Sequence, residues 1–196
     1  TTLGVIASMR EEKITQTTAS FSITLDESEV KVDNLKLWIG DRELTYEKGI
    51  YSINELIPGD FYTVRVTYEV NGRAYNEERY SFYTKWVDFS YRIDSVYHTP
   101  CQFHVEADLG TATLERRLVF IHNMDTVKVD ENWIVRNLKP DTTYLMQPII
   151  ALKGGKMVYG NYVSVTTKSI ALATLKPSNI SNRSATLNGV IECDDL

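Results

Sequence analysis

The histidines and cysteines come first, because these residue types supply many metal ligands and nucleophiles in proteins. His98, Cys101 and His104 lie close enough together in the sequence to suggest a zinc site. On a strand, however, alternation sends Cys101 to one face and His104 to the other. Tetrahedral zinc needs converging ligands, and no fourth ligand lies near these residues in the sequence. We therefore predict no metal site, and we expect these histidines at the surface or in a loop.

The acidic stretch Asp26-Glu27-Ser28-Glu29, followed by Asp33, is the second candidate for metal chemistry. Clustered carboxylates can bind calcium. The ligand order and the glycine of a known calcium loop are absent, and the corresponding loop of the second half begins Asp108-Leu109-Gly110 without the cluster. We interpret the run as a solvated polar loop.

Nucleophilic catalysis would need a serine or cysteine beside a histidine and an orienting acid. The remaining histidine, His122, is close to Asn123 and Asp125. Neither a strained nucleophile turn nor a glycine-rich phosphate loop accompanies it. The sequence therefore predicts no catalytic residues, no cofactor and no enzymatic activity.

Charge and cysteine usage narrow the possible partners. Across 196 residues, 21 Lys and Arg are set against 26 Asp and Glu, for a net charge of −5. No cluster of basic residues could form a positively charged surface for a phosphate backbone, so nucleic acid is not an expected partner. No apolar run is long enough to insert this segment into a membrane. Cys101 and Cys193 do not predict a disulfide within one domain, because they occupy non-equivalent positions of the repeat described next.

The elements that would position these residues form a tandem repeat. The segment 56–62 returns 82 residues later as 138–144, with leucine, proline and tyrosine at the same places. Flanking apolar residues follow the same offset, and a third copy begins near the end of the chain. Such a period indicates an array of like modules. We predict domains at 1–85 and 86–168, and the truncated start of a third repeat at 169–196, all within a longer protein.

Apolar residues alternate at period two through both repeats, which is the pattern of half-buried strands. Turn signals such as Asn71-Gly72 recur at short intervals, and we expect almost no helix. The fold class is therefore all-β, with tandem seven-stranded antiparallel β-sandwiches. The expected strands are 4–9, 17–25, 34–39, 43–46, 50–56, 61–70 and 74–84, then 86–94, 101–108, 116–122, 126–129, 132–138, 143–152 and 157–167.

The Leu-x-Pro-x-x-x-Tyr spacing that ends in Tyr62 and Tyr144 matches a tyrosine corner, in which the hydroxyl bonds the turn backbone. With the threonine-rich exits at 82–85 and 165–168, it resembles fibronectin type III modules. The segment 184–189 is similar to divergent modules of surface and secreted proteins of Bacteroidetes and of phage virions. The tryptophan frequent in the second strand of the family is missing, and Phe21 and Phe103 are the nearest aromatic residues.

Several surface residues are candidates for contact with a partner protein. We expect Tyr83 and Tyr162 to face outward, and Trp86 to pack between modules or in the core of the second repeat. The segment Asn71-Gly72-Arg73 occupies the loop where some members of the family carry adhesive tripeptides. Because neither junction between repeats has a Gly/Ser tract, we expect a semi-rigid rod.

These patterns favour a non-catalytic structural or adhesive spacer that acts through protein–protein contacts. The expected setting is extracellular, in a phage virion (head or tail fibre) or on a bacterial cell surface. The alternative is a set of accessory linker modules in a secreted polysaccharide-acting enzyme. Expected partners are neighbouring repeats or assembly subunits, and a cell-surface glycan is a further candidate.

Overall fold

The computed structural model describes residues 5–26 and 30–192, apart from the side chains of Ala7 and Glu192. In these ranges the regular elements are all β-strands, and each pair of neighbouring strands whose register is resolved is antiparallel. Nothing in this part of the chain forms a helix of the length and hydrophobicity that membrane crossing requires. The chain divides into two compact units: the first runs up to Asp88 and includes 108–113 and 152–156, and the second holds the other described residues.

The first unit is a sandwich of two four-stranded sheets. One sheet has the order β1-β2-β6-β5 and the other β4-β3-β7-β8. The strands are β1 Ile6–Ile14, β2 Ala19–Leu25, β3 Val32–Ile39, β4 Arg42–Glu43, β5 Thr45–Glu47, β6 Ile50–Ile53, β7 Phe61–Val70 and β8 Arg73–Tyr83.

Several strand bounds in the first unit differ from the prediction; for example, β6 ends at Ile53 rather than at residue 56. The strand expected at 43–46 is divided, because β4 pairs with β3 in one sheet and β5 with β6 in the other. Leu44 lies between them, is 3% exposed, and anchors this change of sheet in the core. The first strand continues to Ile14 rather than ending at residue 9. It is an edge strand, where charged side chains such as those of Arg10 and Lys13 can point to solvent.

Alternation along these strands builds the core of the first unit. In β7, Val64, Val66 and Tyr68 are almost completely buried, whereas the residues between them are not. Phe21 packs against Phe82 with ring centroids 5.4 Å apart. The core is therefore rich in aromatic and β-branched side chains, which suit the pleated inner faces of a sandwich.

The second unit has the strand order of the first except for β5, to which none of its described strands corresponds. Its sheets are β13-β10-β9 and β12-β11-β14-β15, and β16 also pairs with β14. Its strands are β9 Asp88–Val96, β10 Cys101–Asp108, β11 Leu114–Ile121, β12 Val127–Lys128, β13 Ile134–Val135, β14 Thr143–Leu152, β15 Met157–Tyr159 and β16 Val163–Thr166. The final strand, expected at 157–167, is thus interrupted at residues 160–162. The prediction of an all-β fold built from tandem sandwiches is confirmed.

Beyond the second sandwich, β17 Ala171–Ser178 and β18 Thr186–Glu192 form an antiparallel pair. They lie in the segment 169–196, where the sequence predicts the start of a third repeat. Leu172 and Ile191 are directly opposed in the ladder and are 74% and 65% exposed, and Leu187 is 87% exposed. This pair of strands therefore exposes several large apolar side chains.

Candidate interaction surfaces

A tyrosine corner holds the turn before β7 and the turn before β14. The hydroxyl of Tyr62 accepts a hydrogen bond of 2.8 Å from the backbone N–H of Ile57. In the second repeat, the hydroxyl of Tyr144 accepts one of 2.8 Å from the N–H of Lys139. Each corner turns the chain from one sheet to the other, as the Leu-x-Pro-x-x-x-Tyr spacing predicts. In this corner both repeats resemble fibronectin type III modules.

No protein family model matches the sequence, and no curated protein matches it. Among solved structures, the chain is similar to a two fibronectin type III domain segment from chicken tenascin, at 12% identity over 82% of this chain and 98% of that one, with a TM-score of 0.39. It is also similar to fibronectin(III)-like modules of Clostridium thermocellum CbhA, at 9% identity, 83% and 95% coverage and a TM-score of 0.33. A third similar structure is that of the chicken CNTN1 FN1-FN3 domains, at 13% identity, 84% and 66% coverage and a TM-score of 0.30.

A buried threonine fastens the end of the last strand to the corner of each module. Thr84 is 1% exposed; its hydroxyl donates to the carbonyl of Ile57 at 2.6 Å and accepts from the N–H of Asp60 at 3.1 Å. In the second module the equivalent Thr167 donates to the carbonyl of Lys139 at 2.7 Å and accepts from the N–H of Thr142 at 3.0 Å. The threonine-rich exits were visible in the sequence, but this role was not predicted.

The following residue is fixed as well. In the first module the N–H of Lys85 donates to the carbonyl of Thr15, and the carbonyl of Lys85 accepts from the N–H of Gly59. The second module repeats both bonds with Lys168, Tyr97 and Asp141. The first strand of the next repeat begins at Asp88 in one case and at Ala171 in the other. Only two residues therefore separate the hydrogen-bonded end of each module from the next strand.

The structure places the candidate zinc ligands in different surroundings. Cys101 is completely buried and His104 is exposed, 3.2 Å from Glu106. His98 lies in the loop between β9 and β10, which is one of the two expected locations, and it is buried there at 5% exposure. His122 follows β11 and is exposed. No group of three metal-binding side chains occurs among the residues that the structure describes.

Two other sequence candidates lie partly outside the described residues. Within the acidic run, residues 27–29 are not described, and Asp33 forms an ion pair with Lys31 at 2.9 Å. Cys193 is also outside the described residues. Cys101 is a free thiol, and burial raises its pKa to about 11. Because the thiolate is the reactive form, this thiol is poorly suited to nucleophilic chemistry.

The first module carries an exposed aromatic group near its corner. Tyr83 is 63% exposed and is paired across the ladder with Phe61, which is 55% exposed, with ring centroids 5.1 Å apart. Trp86 is 65% exposed and lies across Gly59, so closely that a Cβ at Gly59 would come within 2.6 Å of the indole ring. Tyr83 faces outward as predicted. Phe61 was missed, although alternation along β7 places it on the outer face.

The Asn71-Gly72 turn closes the hairpin of β7 and β8. Both residues have positive φ, 50° and 76°, and Val70 pairs with Arg73, which identifies the two-residue turn predicted from the sequence. The guanidinium of Arg73 lies over the ring of Tyr75 at 5.5 Å. Because Tyr83 pairs with Phe61 at the start of β7, this turn and the aromatic group lie at opposite ends of one hairpin.

Tyr68, Glu77 and Arg79 form a polar cluster on the two strands of the same hairpin. Tyr68, 1% exposed, donates from its hydroxyl to Glu77 at 2.6 Å, and Glu77 also pairs with Arg79. The ring of Tyr68 stacks on that of Tyr75, with an angle of 9° between the planes. Burial and the hydrogen bond to Glu77 raise the pKa of Tyr68 to about 12. The hydroxyl of Tyr68 therefore stays protonated and continues to donate its hydrogen bond to the carboxylate of Glu77.

The sheet that contains β3 and β7 in the first module corresponds to the sheet of β11 and β14 in the second, and its outer face differs between the two modules. In the first module it presents polar side chains at 36, 67, 69 and 76 around Trp38. In the second module the corresponding face forms an apolar cluster of Leu118, Ile149 and Ala151, with Phe120 and Met157 packed against it. Tyr162 lies edge-on to Phe120 at 6.3 Å and is 53% exposed, so it faces outward as predicted.

Proposed function

We propose that this chain is a non-catalytic structural spacer of a longer multidomain protein, acting through protein–protein contacts. The observation that supports it is the bond set that ends each module. Since Lys85 and Lys168 are still hydrogen-bonded within their own modules, two residues remain before each following strand. A connection this short restricts the orientations available to the next module.

The contact residues that we propose are those of the exposed aromatic group, Phe61, Tyr83 and Trp86. Aromatic side chains are enriched in protein interfaces, and these three are more than half exposed. Tyr162 and the Asn71-Gly72-Arg73 turn are further candidates, the second for an adhesive contact. The setting we propose is extracellular, in a phage head or tail fibre or on a bacterial cell surface.

The spacer proposal can be tested by ¹⁵N relaxation of the chain in solution. For the wild-type chain we expect both modules to tumble with one long correlation time. A variant with a flexible Gly-Ser linker inserted between Lys85 and Trp86 is the matched control, and its two modules should tumble faster and independently. If the wild-type modules already move as independently as those of the control, the chain is not a spacer of this kind.

The cellular setting requires a separate experiment. Antibodies raised against this chain, followed by electron microscopy of intact particles or cells, would locate it in the native assembly. Repeated copies on a particle or cell surface would support the structural role. A position beside a catalytic domain would support the second candidate, an accessory segment of a secreted polysaccharide-acting enzyme. The aromatic groove described next is the observation that favours this alternative.

A further inference from the structure

The interruption of the last strand in the second module creates a groove. Residues 159–163 on one side and 89–93 on the other enclose a volume of about 450 Å³ between β9 and the break that separates β15 from β16. The corresponding strand of the first module, β8, runs without interruption from Arg73 to Tyr83. The groove is thus a feature of the second module that the common fold does not require.

Aromatic rings surround this groove. Tyr159 and Tyr162 are 59% and 53% exposed, and Phe89 and Tyr91 are half-buried at its base, with ring centroids 6.1 Å apart. On an uninterrupted strand, residues three apart would point to opposite faces. The break at 160–162 removes this constraint, so both tyrosines line the same groove.

Contacts on either side of the break fix its shape. Gly160 has no side chain, and a Cβ there would come within 2.6 Å of the Tyr91 ring. Tyr162 packs edge-on against Phe120, and Tyr159 stands opposite Ile149 in the ladder, so both belong to or border the apolar cluster of the outer face. The rings are therefore supported before any ligand arrives, which lowers the entropy lost on binding.

The hydrogen-bonding groups that remain available indicate the class of ligand. At the break, the N–H of Gly160 donates to Pro148, its carbonyl accepts from Gln147, and the carbonyl of Asn161 accepts from the hydroxyl of Tyr91. A peptide strand adding to this edge would find these backbone groups already used. Recognition would rest on ring faces and on polar side chains along the groove, such as Asn161 and Ser90.

We propose that this groove binds a neutral oligosaccharide. A sugar ring presents C–H groups on its faces and hydroxyls on its rim; the C–H groups suit the negative faces of tyrosine rings, and the hydroxyls suit amide and hydroxyl side chains. Arg92, the cation of the groove lining, is paired with Asp94 at 2.8 Å, so no uncompensated charge selects an anionic ligand. The proposal does not depend on the spacer role, because the groove lies within one module.

The test is binding of the whole chain to an array of neutral glycans, followed by titration of the strongest binders by calorimetry. We expect Tyr162→Ala and Tyr159→Ala each to weaken binding by about tenfold or more. Tyr46→Ala is the matched control, because Tyr46 is 61% exposed, belongs to the first module and does not line the groove, and it should bind as the wild type does. Thermal melts would verify that each variant is folded.

Three results would overturn the proposal. These are no binding to any neutral glycan on the array, binding that the two tyrosine variants leave unchanged, or binding restricted to anionic glycans. Capture of a peptide that the tyrosine variants no longer retain, with no glycan bound, would assign the groove to protein recognition instead. None of these binding results affects the outcome of the ¹⁵N relaxation experiment. The groove proposal and the spacer proposal can therefore be refuted independently.

Discussion

The hydroxyl of Tyr62 accepts a hydrogen bond of 2.8 Å from the backbone N–H of Ile57. In the second module, the bond from the N–H of Lys139 to the hydroxyl of Tyr144 has the same length. Tyr62→Phe would leave the N–H of Ile57 without this partner. We expect a loss of about 1–2 kcal/mol in the free energy of unfolding, measured with urea. Tyr144→Phe should have a similar effect on its own module. Tyr46→Phe is the control and should change stability little, because that ring is exposed.

Thr84→Val should destabilise the first module by about 1–3 kcal/mol, because the hydroxyl serves as both donor and acceptor in a buried position. Thr84→Ser keeps the hydroxyl and should retain most of the stability. Hydrogen exchange provides a local measurement: the amide of Asp60 should exchange faster in the valine variant. If the amide of Asp60 were equally protected from hydrogen exchange in both variants, the hydroxyl of Thr84 would not be what stabilises the corner.

Gly59→Ala should be more damaging than Gly49→Ala. Both glycines have positive φ, 69° and 86°, so both changes incur the backbone penalty of about 1 kcal/mol. Only at Gly59 would the added Cβ collide with the ring of Trp86, whereas open space surrounds Gly49. The difference should disappear in the Trp86→Ala background. Equal losses for the two glycine variants in the wild-type background would contradict the contact.

The raised pKa of Tyr68 predicts a loss of stability at alkaline pH. The unfolded state ionises near pH 10 and the folded state only near 12, so this stabilisation is complete below pH 10 and disappears as pH rises to about 12. In Tyr68→Phe that part of the pH dependence should be missing, as measured by urea unfolding at several pH values. Identical alkaline profiles for the two proteins would show that Tyr68 does not titrate in this way.

Cys101 should resist thiol reagents in the folded chain. Its side chain is fully buried and its pKa is raised to about 11 by that burial, so little thiolate exists at pH 8. We expect labelling of Cys101 only at the rate of unfolding, measured by peptide mass spectrometry with and without urea. Fast labelling under native conditions would contradict the burial of this residue.

Most strands could be predicted because alternation and turn chemistry act locally. Val64, Val66 and Tyr68 alternate with polar residues, and Asn71-Gly72 has the chemistry of a two-residue hairpin turn. The exposed position of Tyr83 followed from the same rule, whereas Tyr162 lies in the break between β15 and β16, where alternation does not determine the direction of a side chain. Residues 27–29 are not described, so the character of that loop remains a prediction.

Three features could not be predicted because they depend on partners distant in the sequence. The change of sheet at Leu44 depends on β3 lying beside the residues before it and β6 lying beside the residues after it. The burial of His98 depends on the loop around it, since no periodicity applies there. The groove requires Tyr91, far away in the chain, to occupy the space beside Gly160, and period-two alternation carried through residues 160–162 would hide it.

The position of Thr167 also bears on protein engineering. The two corner tyrosines are 82 residues apart, whereas Thr84 and Thr167 are 83 apart, because the turn after β14 is one residue longer than Asn71-Gly72. The additional residue is accommodated at the tip of the hairpin, and the bonds at the opposite end are unchanged. In the first module, the exposed Asn71-Gly72 turn is therefore the place where one additional residue can be inserted without disturbing the base.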